Sequence, residues 1–429
     1  MFRRNARNIF WDLGLAALVA FALTVVLAGT PAKVTGGAAP ATPAATAATP
    51  AKTTAPATPA KTTTGKTAKS AAAPKAGAKI TGGAPGTNRI QLAILLDTSN
   101  SMDGLIDQAK SQLWNIVNEL SRMKRNGVSP ALEVALYEYG NDRIPAGEGH
   151  IRCVSSLTTD LDLISEKLFA LTTNGGYEFC GQVIGAALSG LQWSADPDDL
   201  RLVYIAGNEP FTQGSVDYRP VCARAAGKGI VVSTIFCGSS REGIEGKWKD
   251  GADAGGGKFM CIDQNKKAAV ITTPQDAEIA RLGQELNQTY LAYGVKGAES
   301  KTRQEAQDAN AASVGGAVTA QRAVAKASTA YNNASWDLVD AKKEGKVDVE
   351  KLKEEEMPAE MQKMTPAERE KYVEGKRRQR EEIQAKIRKL QAERDQYIAT
   401  QRKGNAARDT LDEVILESTR EAAGQRGYK

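Results

Sequence analysis

Apolar runs alternate with helix-like patterns between residues 89 and 294, and this alternation predicts an α/β domain. Strands are predicted at residues 92–96, 132–139, 151–154, 200–206, 230–237 and 258–263. Helices are predicted at residues 105–124, 161–171, 181–193, 216–228 and 276–293. The pattern indicates a doubly wound, mostly parallel six-stranded sheet, with the short run at 151–154 at the sheet edge.

The first apolar run, residues 92–96, is continuous, which is typical of a parallel strand buried on both faces. Asp97, Ser99 and Ser101 follow it at alternate positions. Loops that leave the carboxyl ends of central strands are where open α/β sheets bind their ligands. One carboxylate and two hydroxyls supply oxygen donors of the kind that hard cations prefer. The simpler alternative is a polar loop in which Ser101 caps the following helix.

The Asp-x-Ser-x-Ser run, together with the helix predicted behind it, resembles the metal-ion-dependent adhesion site (MIDAS) of the von Willebrand factor A (VWA) family. The order of strands and helices from residue 89 to residue 294 is also similar to that family. The resemblance implies a VWA/Rossmann-like fold that binds a divalent cation. It also implies that an acidic side chain from a protein partner completes the coordination of that cation.

The chain departs from the family pattern in two loops. The second loop of the family usually offers a Thr soon after paired glycines, whereas Gly175 and Gly176 are followed here by Glu178 near that position. The third loop usually offers an Asp after the fourth strand, whereas this chain has Gly207 there, with Glu209 close behind. One family carboxylate is therefore lost, and a different one is gained.

The resemblance, with these two changes, gives a set of candidate site residues. The candidate ligands of Mg²⁺, Mn²⁺ or Ca²⁺ are Asp97, Ser99, Ser101, Glu178 and Glu209. The candidate ligand-binding loops contain Gly175, Gly176, Tyr177, Gly207 and Asn208. The alternative is a VWA scaffold that no longer holds metal and binds through its loops alone.

The first 30 residues predict export. Arg3, Arg4 and Arg7 precede an apolar stretch at residues 13–29, as in a secretory signal. A helix of that stretch would cover about 25 Å, close to the ~30 Å of a hydrocarbon core, so an uncleaved anchor is equally compatible. Both alternatives place the rest of the chain outside the cytoplasm, in the periplasm or at the cell surface. Membrane contact is predicted only through this segment.

Residues 31–88 are rich in Ala, Pro, Thr and Lys and predict a disordered linker, because they offer too little apolar surface to bury. The linker carries seven lysines and no acid, and residues 1–30 carry a net charge of +2. Subtracting this +9 from the total of +6 leaves −3 for residues 89–429. A basic groove for nucleic acid therefore has no compositional support.

An enzymatic alternative would use Cys180, at the start of a predicted helix whose amides lower thiol pKa values, with His150, the only histidine. The sequence offers neither a third orienting group nor an oxyanion hole, so a non-enzymatic protein is predicted. Five cysteines lie in the α/β part. Cys237 and Cys261, near the ends of strands that would be neighbours in a VWA sheet, either pair or remain buried free thiols.

Residues 297–429 predict an α-helical hairpin or coiled-coil extension. An alanine seam runs from Ala320 to Ala341 at steps of three and four. The run Thr365-Pro366-Ala367-Glu368 is a capping box that opens a long helix reaching about residue 402. A shorter helix follows, containing Leu411, Val414 and Ile415. The segment 300–404 is a candidate for a helix–helix partner.

The sequence thus divides into an export segment (1–30), a linker (31–88), a VWA domain (89–296) and a helical extension (297–429). The first functional hypothesis is an exported, non-enzymatic binding module that recognises a protein ligand at a modified MIDAS. The alternative is a structural cell-envelope protein that assembles through its helical extension and has a degenerate, metal-free VWA site.

Overall fold

The computed structural model describes residues 88–266, 271–402 and 410–429. Its centre is a six-stranded sheet with the strand order β3-β2-β1-β4-β5-β6. The strands are β1 (Arg89–Asp97), β2 (Ala131–Tyr139), β3 (Ile151–Thr158), β4 (Leu200–Gly207), β5 (Val231–Cys237) and β6 (Gly256–Ile262). Neighbouring strands are parallel, except that β3 is antiparallel to β2 at the edge. The predicted α/β class, the mostly parallel sheet and the edge position of the third strand are confirmed.

The strand β1 is central because its apolar run is buried on both faces, as its composition requires. Leu92 and Leu96 are 1% exposed, and Leu95 is fully buried. The strand is hydrogen-bonded to β2 on one side and to β4 on the other. The chain moves outward in opposite directions from β1, so the carboxyl ends of β1 and β4 form the switch point of the sheet, where such folds bind ligands.

Twelve α-helices occur in the described part of the chain. They are α1 (Asp103–Arg122), α2 (Leu161–Phe169), α3 (Cys180–Gly190), α4 (Tyr218–Gly227), α5 (Ser240–Glu245), α6 (Trp248–Ala254), α7 (Asp276–Asn287), α8 (Gly297–Val314), α9 (Gly316–Lys326), α10 (Leu338–Lys343), α11 (Pro366–Arg402) and α12 (Leu411–Gly424). The helices α1, α2, α7 and α12 contribute to the core on one face of the sheet, and α3, α4 and α6 to the core on the other. The sequence pattern did not predict α5 and α6, which are too short to show a helical period.

The last helix returns to the sheet. In the core, the Tyr204 hydroxyl of β4 lies 2.8 Å from the Thr419 Oγ1 of α12 and donates a hydrogen bond to the Ile415 carbonyl. Beyond α12, Lys429 and Lys124 exchange backbone hydrogen bonds of 2.8 and 2.9 Å. The residues between α7 and α12 therefore leave the sheet, form helices α8–α11, and come back to complete its core.

The helical character of the C-terminal part is confirmed, but the helix along the alanine seam is interrupted. The helix α9 ends at Lys326, and α10 begins only at Leu338. Asp337 explains the break, because its side chain accepts hydrogen bonds from the backbone amides of Asp340, at 2.9 Å, and Leu291, at 2.7 Å. It thereby caps a new helix and holds it against the loop after α7.

The long helix α11 begins as predicted. The Glu368 carboxylate accepts hydrogen bonds of 2.8 Å from both the amide and the hydroxyl of Thr365, and the Thr365 hydroxyl accepts from the Glu368 amide. Farther along, Ile383 and Ile387 are buried in the core shared with the sheet. Its apolar stripe is therefore covered by this chain itself.

Two further predictions concern the membrane and the cysteines. In the described ranges, no helix combines the length and the apolar character needed to span a bilayer. The predicted export segment and linker lie almost wholly outside the described residues. All five cysteines are free, and Cys237 and Cys261 lie unbonded on the neighbouring strands β5 and β6.

Candidate functional site

Three loops meet at the carboxyl ends of β1 and β4. Backbone hydrogen bonds hold them in register, from the Thr98 amide to the Tyr139 carbonyl (2.8 Å) and from the Asn174 amide to the Thr98 carbonyl (3.0 Å). In the first loop, the alternate residues Asp97, Ser99 and Ser101 turn their side chains toward one another. The Asp-x-Ser-x-Ser run is therefore gathered at the switch point of the sheet.

Asp97 is fully buried at the base of this point. Its Oδ1 accepts a 2.7 Å hydrogen bond from the Ser99 amide, and its carboxylate also accepts from the Asn208 amide. Above it, the hydroxyl oxygens of Ser99 and Ser101 lie 3.3 Å apart, and the Asn208 side-chain amide donates to Ser101 at 3.1 Å. The structure thus brings together the three residues of the first loop and joins Asn208 of the third loop to them.

Glu178 reaches the same point from the second loop. It is 5% exposed, its amide donates a 2.6 Å hydrogen bond to the Gln213 side chain, and its carboxylate accepts from the Ser99 hydroxyl. The side chains of Asp97 and Glu178 both pack against Gly140, which has a φ of +79°. A Cβ at Gly140 would lie 2.7 Å from the Asp97 Oδ1 and 2.8 Å from the Glu178 Cγ, so only glycine fits there.

The missing family Asp at Gly207 has a local structural counterpart in Tyr139. The Tyr139 hydroxyl donates a 2.9 Å hydrogen bond to the Ala206 carbonyl. A Cβ at Gly207 would lie 2.5 Å from that hydroxyl and 3.0 Å from the Asp97 Oδ2. A larger residue at position 207 would therefore displace the tyrosine, which occupies the space beside the Asp97 carboxylate.

Glu209 is half-buried at the rim, where the Trp248 indole donates a 2.7 Å hydrogen bond to its backbone carbonyl. Its negative charge contributes to raising the pKa of both Asp97 and Glu178. In the part of the chain that the structure describes, no group of three His, Cys, Asp or Glu side chains converges closely enough to hold a metal ion. Asp97 and Glu178 are thus the carboxylates at the base of the site, Glu209 is the carboxylate at its rim, and hydroxyl and amide oxygens are the neutral donors.

The electrostatics of the site are unbalanced. Burial, and next to it the Glu209 charge, raise the pKa of Asp97 to about 7. Burial and the nearby Asp97 charge raise the pKa of Glu178 to about 8. Among the described residues, no positively charged side chain is a leading cause of either shift. Two carboxylates are thus held together in a low-dielectric place without a counter-charge from the protein.

Three oxygen atoms of the site are buried without a hydrogen-bond partner. They are the Asp97 Oδ2, the Glu178 Oε2 and the Asn208 Oδ1. Buried polar atoms in folded proteins nearly always have a partner, so these three oxygens are free to accept a donor or a cation. Carboxylate, hydroxyl and amide oxygens are the donor types of Mg²⁺, Mn²⁺ and Ca²⁺, and the residues present fit such an ion.

The remaining predicted loop residues shape the surface around the site. Gly176 packs on β2's exit loop, where a Cβ would lie 2.4 Å from the Gly140 carbonyl oxygen. Gly175 accepts a 2.8 Å hydrogen bond from the Asp142 amide. Tyr177 is 63% exposed, and its ring stacks on Phe179 with centroids 6.0 Å apart. The loop thus turns Glu178 inward and the aromatic rings on either side of it outward.

Sequence reasoning missed Tyr139, Gly140 and Gln213. For Gly140 a signal was available, because this glycine directly follows β2, the strand beside β1, at the sheet edge from which the Asp97 loop emerges. The enzymatic alternative would have needed a reactive thiol at Cys180. Burial, followed by the negative charge of Asp97, raises the pKa of this thiol well above its usual range, which outweighs the effect of the helix amides.

Comparisons with known proteins concern the fold. No protein-family model and no curated protein matches the chain. Among solved structures, the SpRpn10 VWA domain is 16% identical with a TM-score of 0.32, over 41% of this chain and 88% of that one. The conserved hypothetical protein BatB from Bacteroides thetaiotaomicron is 18% identical with a TM-score of 0.30, over 41% of this chain and 90% of that one. Proximal thread matrix protein 1 from the mussel byssus, with a zinc-occupied MIDAS motif, is 14% identical with a TM-score of 0.32, over 42% of this chain and 43% of that one. The sheet and its flanking helices have a VWA-like fold.

Proposed function

We propose that this protein is an exported, non-enzymatic binding module that recognises a protein ligand at a modified MIDAS with a divalent cation. The observation that carries the proposal is the set of three buried oxygens without partners, on Asp97, Glu178 and Asn208. Two of them belong to carboxyl groups that no protein cation compensates. An added positive charge would remove both defects at once.

Each residue of the site has a distinct part in this proposal. A bound Mg²⁺, Mn²⁺ or Ca²⁺ would supply a positive charge and an open coordination position for a carboxylate of the ligand. Asp97 and Glu178 provide the negative charge, and the hydroxyls of Ser99 and Ser101 provide neutral oxygens. Glu209 reaches the site from the rim, directly or through water. The loop residues Gly175, Gly176, Tyr177, Gly207 and Asn208 form the surface that meets the ligand.

The division of the chain follows the same proposal. Residues 1–30 direct export to the periplasm or cell surface, and residues 31–88 act as a spacer. Residues 89–296 carry the binding site. Residues 297–429 form the helical extension, and the packing of α12 on β4 supports the view that its last helix also stabilises the binding domain.

Metal titration of the full chain tests the proposal. Dialysed protein should release or absorb heat on addition of Mg²⁺ or Mn²⁺, and its melting temperature should rise. Asp97→Asn should abolish both effects. The matched control is Asp142→Asn, which removes a carboxylate that lies beside the second loop and is 55% exposed. If neither heat nor a melting shift is observed with the unmodified chain, the site does not bind these ions.

The alternative, a structural envelope protein with a metal-free site, is favoured by one observation. The Gly207–Tyr139 arrangement leaves only two carboxylates at the base of the site. Under this alternative, the unmodified chain, Asp97→Asn and Asp142→Asn all fail to respond to added metal. Asp97→Asn also leaves partner binding unchanged, and assembly depends on helices α8–α11. The metal titration therefore separates the two candidate functions, because only the binding module predicts a response that Asp97→Asn removes and Asp142→Asn keeps.

A further inference from the structure

A shallow groove lies along the first part of α11. Its residues, 363–379, are distant in sequence from those of the candidate metal site. Its volume is about 570 Å³, and its lining includes Met364, Tyr372 and Gly375. Met364 and Tyr372 are half-buried at the margin of a core cluster that contains Met361 and Val373. The floor of the groove is therefore apolar and firmly supported from below.

Gly375 is the unusual residue of this groove. It lies in the interior of a 37-residue helix, where glycine is about 1 kcal/mol less favourable than alanine. It is exposed, and apart from its chain neighbours and the backbone of its own helix, no atom of the described residues lies within 4 Å of the position that its Cβ would take. Among the described residues, neither a left-handed backbone nor a crowding neighbour explains the glycine. Because Gly375 has no side chain, the surface of α11 is indented, forming a notch, at this position of the groove.

The rim of the groove is positively charged. Lys363, Lys371 and Lys376 line it, with Glu368 as the acidic residue among the lining side chains. The Glu368 carboxylate is bound to Thr365 in the helix cap. Lys376 donates a 2.9 Å hydrogen bond to the Gln288 carbonyl, whereas Lys363 and Lys371 are exposed. An apolar floor inside a lysine rim is complementary to an apolar side chain flanked by acidic residues.

We propose that this groove binds an acidic segment of a partner protein, which places an apolar side chain over Gly375. The charge argues against the chain's own linker, because residues 31–88 carry seven lysines and no acid. A second copy in a symmetric, groove-to-groove contact would present the same lysines to this rim, and self-association through another surface is an outcome of the test below. A concave notch also fits an inserted side chain better than it fits a flat membrane surface. The groove is thus assigned to a different protein, and this assignment does not depend on the metal site.

Peptide display on the full chain tests the proposal. A random peptide library displayed on phage is selected on the unmodified protein, and the selected peptides are then measured against Gly375→Leu. Leucine fills the notch and favours the helix, and no neighbour lies within 4 Å to obstruct it, so this variant should fold. The matched control is Ala385→Leu, at another exposed position of α11.

The expected result is a set of peptides with at least one apolar residue among acidic ones. Their affinity should fall at least tenfold with Gly375→Leu, stay unchanged with Ala385→Leu, and weaken as salt is added. The proposal is overturned if no selected peptide is sensitive to Gly375→Leu, or if the sensitive peptides are neutral or basic. It is also overturned if Gly375→Leu instead abolishes self-association of the chain or its binding to vesicles of anionic lipid.

Discussion

Two groups of buried carboxylates in this molecule differ in whether the protein compensates their charge. Where helices α8 and α9 meet α2, the carboxyl groups of Asp162 and Asp308 are paired with Arg322 and Lys326. At the carboxyl edge of the sheet, no cation of the described residues pairs with Asp97 or Glu178. The difference separates buried carboxylates that the protein neutralises from buried carboxylates that it leaves uncompensated.

Asp308, where α8 meets α9, shows how two paired cations change the pKa of a buried carboxyl group. Arg322 contacts the Asp308 Oδ1 at 2.9 Å, and Lys326 contacts the Asp308 Oδ2 at 2.7 Å. Burial opposes ionisation of Asp308, but the charges of Lys326 and Arg322 outweigh it and lower the pKa to about 2. At the site the same burial, without cations, raises the pKa values of two carboxyl groups instead.

Two further buried ion pairs hold α11 in the same way. Arg380 contacts Asp337 at 2.6 Å, and Arg394 contacts Asp276 of α7 at 2.8 Å. Each arginine is on the helical extension, and each pair lies at a packing surface. At these packing surfaces a guanidinium compensates each buried carboxylate, in contrast to Asp97 and Glu178.

The largest effect is expected from breaking the compensated region. Arg322→Met leaves the carboxylates of Asp162 and Asp308 without their shared guanidinium, and it should lower the free energy of unfolding by about 3–5 kcal/mol. Urea denaturation measures this. The control is Arg281→Met, whose side chain is 52% exposed and pairs with Glu278, and its cost should stay below about 1 kcal/mol. Equal losses in the two variants would contradict the distinction between the regions.

The next effect should have the opposite sign. Asp97→Asn removes an uncompensated buried charge while keeping an oxygen that can accept from the Ser99 amide. Without divalent cations at about pH 8, it should raise the free energy of unfolding by on the order of 2 kcal/mol. The comparison fails if Asp97→Asn destabilises the protein as strongly as Arg322→Met does, because Asp97 would then be a structural charge.

The pH dependence of stability should sharpen the contrast further. The folded pKa values of Asp97 and Glu178, about 7 and about 8, exceed the ordinary values of 3.8 and 4.5. The folded state therefore holds protons that the unfolded state releases, and stability falls as pH rises from about 4 to about 8.

Urea denaturation of the metal-free chain at several pH values measures this decrease, which should be on the order of 2 kcal/mol. The double variant Asp97→Asn with Glu178→Gln should lose most of it. Saturating Mg²⁺ should stabilise the unmodified chain more at high pH than at low pH, since protons compete with the cation. A pH profile that is the same in the double variant would assign the decrease to other groups.

Much of the sheet was predictable because its signals are local. The continuous apolar run before Asp97 and the strand–helix alternation carry the fold class, and the Asp-x-Ser-x-Ser spacing places the first loop. The position of the Tyr139 hydroxyl beside Gly207 was not predictable, because it depends on the pairing of Asp97 with Tyr139 across two neighbouring strands. No local pattern encodes that pairing.

The C-terminal part shows the same limit. The capping box at Thr365 fixed the start of α11, because it is complete within four residues. The alanine seam gave no sign that Arg322 and Lys326, which lie within it, are each 1% exposed. Their partners include Asp162, far away in the sequence, so burial of these charges follows from tertiary packing that composition does not reveal.

The smallest effect concerns Tyr139, whose hydroxyl lies beside Gly207 and the Asp97 carboxylate. Tyr139→Phe removes the 2.9 Å hydrogen bond to the Ala206 carbonyl and should cost about 1 kcal/mol of unfolding free energy. If Asp97, Ser99, Ser101 and Glu178 hold the cation, the melting shift produced by Mg²⁺ should stay as large as in the unmodified chain. Loss of that shift would instead mean that the Tyr139 hydroxyl is needed to hold the ion, and the set of oxygen donors would have to include β2.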